Sequence, residues 1–536
     1  MPLEDERWDD HADVVVVGFG GAGACAAIEA ARDGADVLVL DRFTGGGATA
    51  VSGGVVYAGG GTSVQHAAGV ADSPAAMLAY LSQEVGDVVS PATLREFVDS
   101  SPAMIDWLAG LGVPFDPSLC PFKTSYPPDR YYLYYSGSEN AWPFRSAAQP
   151  AARGHRAHGR GTSGKVLFAA LSAAARSSGA RVQPRTTAVR LVVSDGRVTG
   201  VEGRTLAGAP ARVRRRLDRL HRLSVKPGLY APALARRLHR RIAVLESRWG
   251  RPFLVEARRG VVLAAGGFVN DRAMLREHAP SYRGGLPLGT QGDDGSGIRL
   301  GVSAGGATDR LSTVSAWRFI TPPSALLRGV LVDSSGARFV DESSYGAAIG
   351  ARVVAGGGRA WLLADAPVVA AARAQLRTET LWFQRLQGWY LLRWSRVRGH
   401  TVAEVARRAG ISAEGLAATV SSYGSAPDEF GKDPSLVSAL STPPYTLIDC
   451  SYGPRLGYPC PMLTLGGLVV DESSGQVLST DGSPVPGLYA AGRTAVGICS
   501  NSYVSGLSIA DCVFSGRRAG KHAATQSVAS SPDSPS

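Results

Sequence analysis

ADVVVVGFGGAGACAAIEAARDGADVLVLDR, Ala12 to Arg42, decides how this 536-residue chain is read. Four consecutive valines, Val14 to Val17, predict a strand buried on both faces. Gly18, Gly20 and Gly23 follow as G-x-G-x-x-G, then an alanine-rich helix, then a second strand that ends at Asp41. A first glycine permits the tight turn, a second admits a pyrophosphate to the backbone, and a third lets helix and strand pack closely. The helix N-terminus would face the phosphates, and Asp41 stands where a carboxylate bonds ribose hydroxyls. The unit is βαβ and binds a dinucleotide.

Outward from this unit the chain is long enough to need two or three domains. Glycine is abundant, at 66 residues, as many strand-to-helix turns demand. From about residue 311 to 445 strands and helices alternate without glycine-rich nucleotide motifs, and nucleotide-type elements then return. Residues 1–310 and 446–521 are therefore expected to form one cofactor domain, 311–445 a catalytic domain, and 522–536 a disordered tail. Six cysteines without a CxxC pair or zinc spacing argue against a disulfide scaffold or a metal site. MPLEDERWDD has no basic or apolar signal core. A cytoplasmic protein is expected.

The formal net charge of +11 has one source. Between Arg212 and Arg251 stand twelve arginines and one lysine against Asp218 and Glu246. Apolar residues three and four apart in this segment predict two short amphipathic helices, separated by Pro227, Gly228 and Pro232. This insert, about 205–252, is read as a solvated hairpin, as a peripheral contact for an anionic membrane, or as a seat for a partner such as an electron acceptor. Nucleic acid is excluded for want of a recognition fold or stacking platform.

Three further segments, GGATAVSGG (46–54), VVLAAGG (261–267) and GLYAAGR (487–493), complete a pattern with the glycine fingerprint. Together they resemble the glutathione-reductase-like flavoproteins, and within them the fumarate reductase/3-ketosteroid dehydrogenase family. The resemblance spans nearly the whole chain apart from the insert and tail. It implies an α/β fold, a Rossmann FAD domain of glutathione-reductase type carrying an inserted α+β catalytic domain. It also implies FAD held without a covalent bond. Its expected contacts are Gly18, Gly20, Gly21, Ala22, Gly23, Asp41 and Arg42 at the first turn, and Ala48, Thr49, Ser52, Gly53 and Gly54 beyond it. Later come Ala188, Ala265, Gly266, Asp294, Gly492 and Arg493. The helix that points at the flavin ring is expected to begin near Ser508 and Ile509.

Fumarate reductases of this family carry an Arg after a stretch like RFVDE and a His just before a TMGG-like turn. Here RFVDESSYGAAIG (338–350) has Tyr345 and Gly346, and Leu463 precedes Thr464. A dicarboxylate needs cations, so fumarate reduction is rejected. SNSYVSGLSIAD (500–511) resembles instead the Tyr-x-Ser-Gly motif of the Δ4-(5α) branch of the ketosteroid dehydrogenases, whose third hydroxyl falls at Tyr345. That likeness implies desaturation beside the ketone of a 3-ketosteroid, a small hydrophobic substrate, with electrons passing to an external acceptor. Tyr503 would polarise the ketone, Ser505 take the proton and Tyr345 complete the relay. An enone reductase, a desaturase of a non-steroid cyclic ketone and a Δ1-dehydrogenase are the alternatives. Against these roles stand plainer ones: idle loop hydroxyls at 503 and 505, a backbone-bonded Tyr345, a loop His155, a buried Cys499 and a simple turn at Asp293-Asp294.

Overall fold

The computed structural model describes residues 8–228, 231–424, 428–453 and 457–527. Its largest sheet is built on β1 (Asp10–Val17), α1 (Gly21–Arg32) and β2 (Val37–Asp41). Val14 to Val17 pair in parallel with Val37 to Leu40 on one side and with Gly260 to Leu263 on the other. All four valines are buried, which is why the run carries no polar alternation. The sheet runs Gln476–Leu478, Pro484–Ala490, Arg251–Leu263, β1, β2, Arg181–Pro184, with only its first pair antiparallel. An antiparallel arm, Thr186–Ser194 and Arg197–Thr205, joins it along the long strand Arg251–Leu263.

The C-terminal helix, Leu507–Thr525, lies against α1. Gly516 and Gly520 make this possible: a Cβ there would stand 2.5 and 2.2 Å from the carbonyl oxygens of Ala22 and Ala26. The contact fixes the stretch just before this helix relative to the glycine turn. The helix runs to Thr525, so His522–Thr525 are helical where a disordered tail was expected; residues 528–536 of that tail lie outside the described residues.

A second unit has its own antiparallel sheet, ordered Val330–Val332, Trp361–Ala364, Tyr445–Asp449, Arg396–Gly399. Its core includes Leu331, Leu362, Leu447 and Ile448, and extends to Cys450, Tyr458 and Cys460. The boundary expected at 445 therefore falls at the head of one of this sheet's strands, because Tyr445–Asp449 pairs within it. The basic segment forms a helical hairpin, Ala211–Gly228 and Pro232–Trp249, of two 18-residue helices rather than short ones. Among the described residues no helix is long and apolar enough to cross a membrane.

Candidate active site

A cavity of about 1340 Å³ runs from the glycine turn after β1 to the stretch before the C-terminal helix. The α1 end is prepared for an anion. Gly18 has φ of 102°, and a Cβ on Gly23 would stand 1.9 Å from the Gly18 carbonyl oxygen. Gly20 caps α1 without a side chain, leaving amides of the first turn to a ligand. Thr49 Oγ1 accepts from the Gly21 amide at 3.0 Å and so braces the turn. Asp41 lines the cavity while accepting from the amides of Phe19, Phe43 and Gly45 at 2.9, 2.8 and 3.1 Å. Burial raises its pKa and those three amides oppose the rise.

The remaining expected contacts divide. Gly20, Gly21, Ala22, Ala48, Ser52, Gly53, Gly54 and Ala188 line the cavity, as do Ala265, Gly266, Ser508 and Ile509. Gly23 and Gly492 do not. Gly23 packs on Gly18, and the Gly492 amide donates to Ser515 at 3.0 Å, with Cys512 and Ala22 against its Cα. Arg42 lines the cavity, but its guanidinium is taken by Glu246 at 2.9 Å through two bonds and by Asp294 at 3.2 Å. Arg493 is buried on Asp293 at 2.5 Å, so Asp293 is more than a turn residue. Arg493 Nη1 is buried with no partner among the described residues. An orphaned donor, an open helix start and a backbone cradle together fit the pyrophosphate and ring of an FAD.

The hairpin supplies residues that the sequence reading missed. His221 stacks on Phe43, ring centroids 3.7 Å apart, and lines the cavity with Val225. His239 donates to or accepts from Ser224 at 2.9 Å. Burial, then the Arg42 charge, lowers His221 to about 4 and His239 to about 3. Unfolded, both titrate near ~6.5. Below that pH the unfolded chain binds protons that the folded hairpin refuses, so their stabilisation is present above ~6.5 and is lost as pH falls through the folded values. His155, also held near 4 by burial, adds to the same loss. The melting temperature is therefore expected to drop between pH ~6.5 and ~4. In His239→Gln the drop should be smaller; an unchanged pH profile would contradict this reading.

At the other end Tyr345, Tyr503 and Ser505 converge on the cavity. The Tyr345 and Tyr503 rings lie 6.3 Å apart, and Trp317 stacks on Tyr503 at 5.1 Å. Phe319 packs edge-on to Tyr345 at 5.5 Å. Ser505 Oγ is 2.9 Å from the hydroxyl of Tyr134, which is fully buried and stands behind it on the short strand Leu133–Tyr134. Ser505 opposes the rise that burial and the neighbouring phenols cause in the Tyr345 pKa. Burial raises Tyr503 and Tyr134 as well, so all three phenols stay protonated donors. The Gly506 amide opposes the rise at Tyr503.

The loop that carries these groups is pinned along its length. Ser500 Oγ donates to the Leu465 carbonyl at 2.6 Å, and Asn501 Nδ2 to the Glu84 carbonyl at 2.9 Å. Ser502 Oγ donates to the buried Glu84 carboxylate at 2.6 Å, and the Ser505 amide to the Ser136 carbonyl at 3.1 Å. Gly506, with φ of 94°, turns the chain into the helix. Cys499 is buried and donates to Asp511. His155 sits in the strand Gly154–Arg156, fully buried on Thr62 at 2.8 Å, so it is neither a loop residue nor a cavity residue.

Comparison with known proteins places this geometry. The FAD binding domain family profile matches residues 13–506. The chain is 38% identical to the 3-oxo-5-alpha-steroid 4-dehydrogenase of Comamonas testosteroni, over 91% of this chain and 94% of that one. It is 26% identical to the 3-oxosteroid 1-dehydrogenase of Mycobacterium tuberculosis, over 96% and 98%. Among solved structures, that of the 3-ketosteroid-delta4-(5alpha)-dehydrogenase from Rhodococcus jostii RHA1, in complex with 4-androstene-3,17-dione, superposes with a TM-score of 0.81. Its identity is 32%, and 97% of this chain and 98% of that chain are covered.

Proposed function

The chain belongs to the FAD binding domain family, and from that premise we propose that it dehydrogenates 3-oxo-5α-steroids to 3-oxo-4-ene steroids. It is an FAD-dependent oxidoreductase acting on a CH–CH pair. The observation that carries the substrate assignment is the set of hydroxyls at Tyr345, Tyr503 and Ser505, with no Arg or His at the positions a dicarboxylate needs. Bound FAD supplies the hydride acceptor.

Tyr503 donates its hydroxyl hydrogen to the ketone oxygen and stabilises the negative charge that develops there. Trp317 holds the phenol in plane from one side. Ser505 accepts the α-proton as its own proton passes to the Tyr345 oxygen and the Tyr345 hydroxyl proton passes on toward solvent, and Tyr134 fixes the direction of the Ser505 hydroxyl. Trp317, Phe319 and Leu463 give this end of the cavity apolar walls for a ring system. Asp41, Arg493 and the glycine turn would hold the cofactor, with Arg42 tying the hairpin down beside it through Glu246. The division of labour follows the two units, cofactor on the large sheet and substrate against the inserted one. Electrons leave to an external acceptor, and outer arginines of the hairpin, such as Arg216 and Arg240, offer an acidic surface its contact.

Turnover of a saturated 3-oxo-5α-steroid with an artificial electron acceptor tests the assignment. The expected product is the conjugated 4-ene-3-one, identified by chromatography and ultraviolet absorption. A 1-ene product, or turnover only in the direction of enone reduction, would overturn it.

A further inference from the structure

The helix Trp382–Arg393 covers part of the cavity mouth with an unusual polarity. Gln384, Gly388, Leu391 and Leu392 face inward and are buried. Trp382, Leu386 and Trp389, spaced i, i+4 and i+7 on one stripe, face solvent with 70%, 60% and 53% of their surface exposed. Trp394, just past the helix end, is 58% exposed and pairs with Trp389 at 4.7 Å between ring centroids. A stripe this apolar normally faces a core. Among the described residues nothing covers it.

Charge says what does. Between Arg373 and Arg398 stand six arginines and one acid, Glu379. Glu379 is buried and spent on the amide and hydroxyl of Ser324, at 2.7 and 2.9 Å. Arg373, Arg393 and Arg398 crowd Arg396 closely enough to lower its pKa, after burial. A second copy of this chain would bring like charges together across the stripe. Tryptophan and leucine rimmed by arginine match instead the interface of a negatively charged bilayer, where indole rings sit at headgroup level and guanidinium groups meet phosphate. Trp382 and Leu386 belong both to the stripe and to the cavity wall, so apolar side chains are continuous from the lipid-facing stripe to the cavity.

We infer that the outer face of Trp382–Arg393, with Trp394, docks on an anionic phospholipid bilayer and takes the apolar substrate from it into the cavity. The docking stands independently of the proposed reaction; only the nature of the cargo rests on that reading.

The test is co-sedimentation of the FAD-loaded protein with phosphatidylcholine vesicles, plain or containing about 30% phosphatidylglycerol. Binding is expected on the anionic vesicles, with partial retention at high salt because the indoles contribute alongside charge. Trp389→Ser/Trp394→Ser, two residues outside the cavity wall, should weaken that binding by roughly tenfold or more while turnover of detergent-dispersed steroid is kept. No binding to anionic vesicles, or equal binding by the double variant, overturns the inference. So does loss of binding in Arg240→Glu/Arg241→Glu alone, which assigns the contact to the hairpin. A dimer that the double variant converts to monomer, without vesicle binding in either, overturns it in favour of self-association. Vesicle binding without steroid turnover would leave the docking standing and sink the reaction.

Discussion

Ser505→Ala should lower kcat by about 10²–10⁴-fold, the range for removing a group that takes a proton in the transition state, and leave KM little changed. The hydroxyl bonds Tyr134 and lines the cavity with Tyr345, and in the proposed reaction it receives the α-proton. In the fold it partners the buried Tyr134 hydroxyl, and losing that bond costs about 1–3 kcal/mol. The loop is held there by the Ser505 backbone amide on Ser136, which alanine keeps. The yellow flavin spectrum should therefore match that of the unmodified protein, with a melting temperature lowered only by the lost Tyr134 bond. Stopped-flow flavin reduction beside steady-state kinetics checks this. A variant with near-normal kcat would remove Ser505 from the proton path.

Tyr503→Phe is the complementary case. Phenylalanine keeps the stack on Trp317 and the tilted contact with Tyr345 and deletes only the donor. Losing one donor to a developing oxyanion costs about 10²–10³-fold in kcat. Because burial holds the Tyr503 phenol protonated far above neutrality, its donor role should not titrate between pH 6 and 9. The size of the loss should then be the same across that window. A loss confined to high pH would mean that Tyr503 acts as a base.

How far the sequence showed this site depends on how local each signal is. The valine run and glycine spacing around β1 specify strand, turn and helix within thirty-one residues, Ala12 to Arg42, and the fold follows. The meeting of Tyr345 with Tyr503 is not local at all; only the resemblance to the Δ4-(5α) branch implied it. Tyr134 was missed because it stands in an aromatic run, Tyr131-Tyr132-Leu133-Tyr134-Tyr135, where nothing nearby says which ring turns inward. Pairing of Leu133 with His155 settles that. The Arg42 partner Glu246 was missed because it is 204 residues away in an insert of unknown placement. The tryptophan stripe of the outer helix had a core-like period, but periodicity reports only that one face is apolar, never what covers it.

Anaerobic mixing of the oxidised protein with a 3-oxo-5α-steroid carrying deuterium at C-5 tests the central claim most directly. The flavin band should bleach once, one equivalent of 4-ene product should form, and bleaching should be slower than with protium at C-5. Loss of yellow colour with no isotope effect and a 1-ene product, or no bleaching by any saturated 3-ketosteroid, would contradict hydride removal from C-5 at this site.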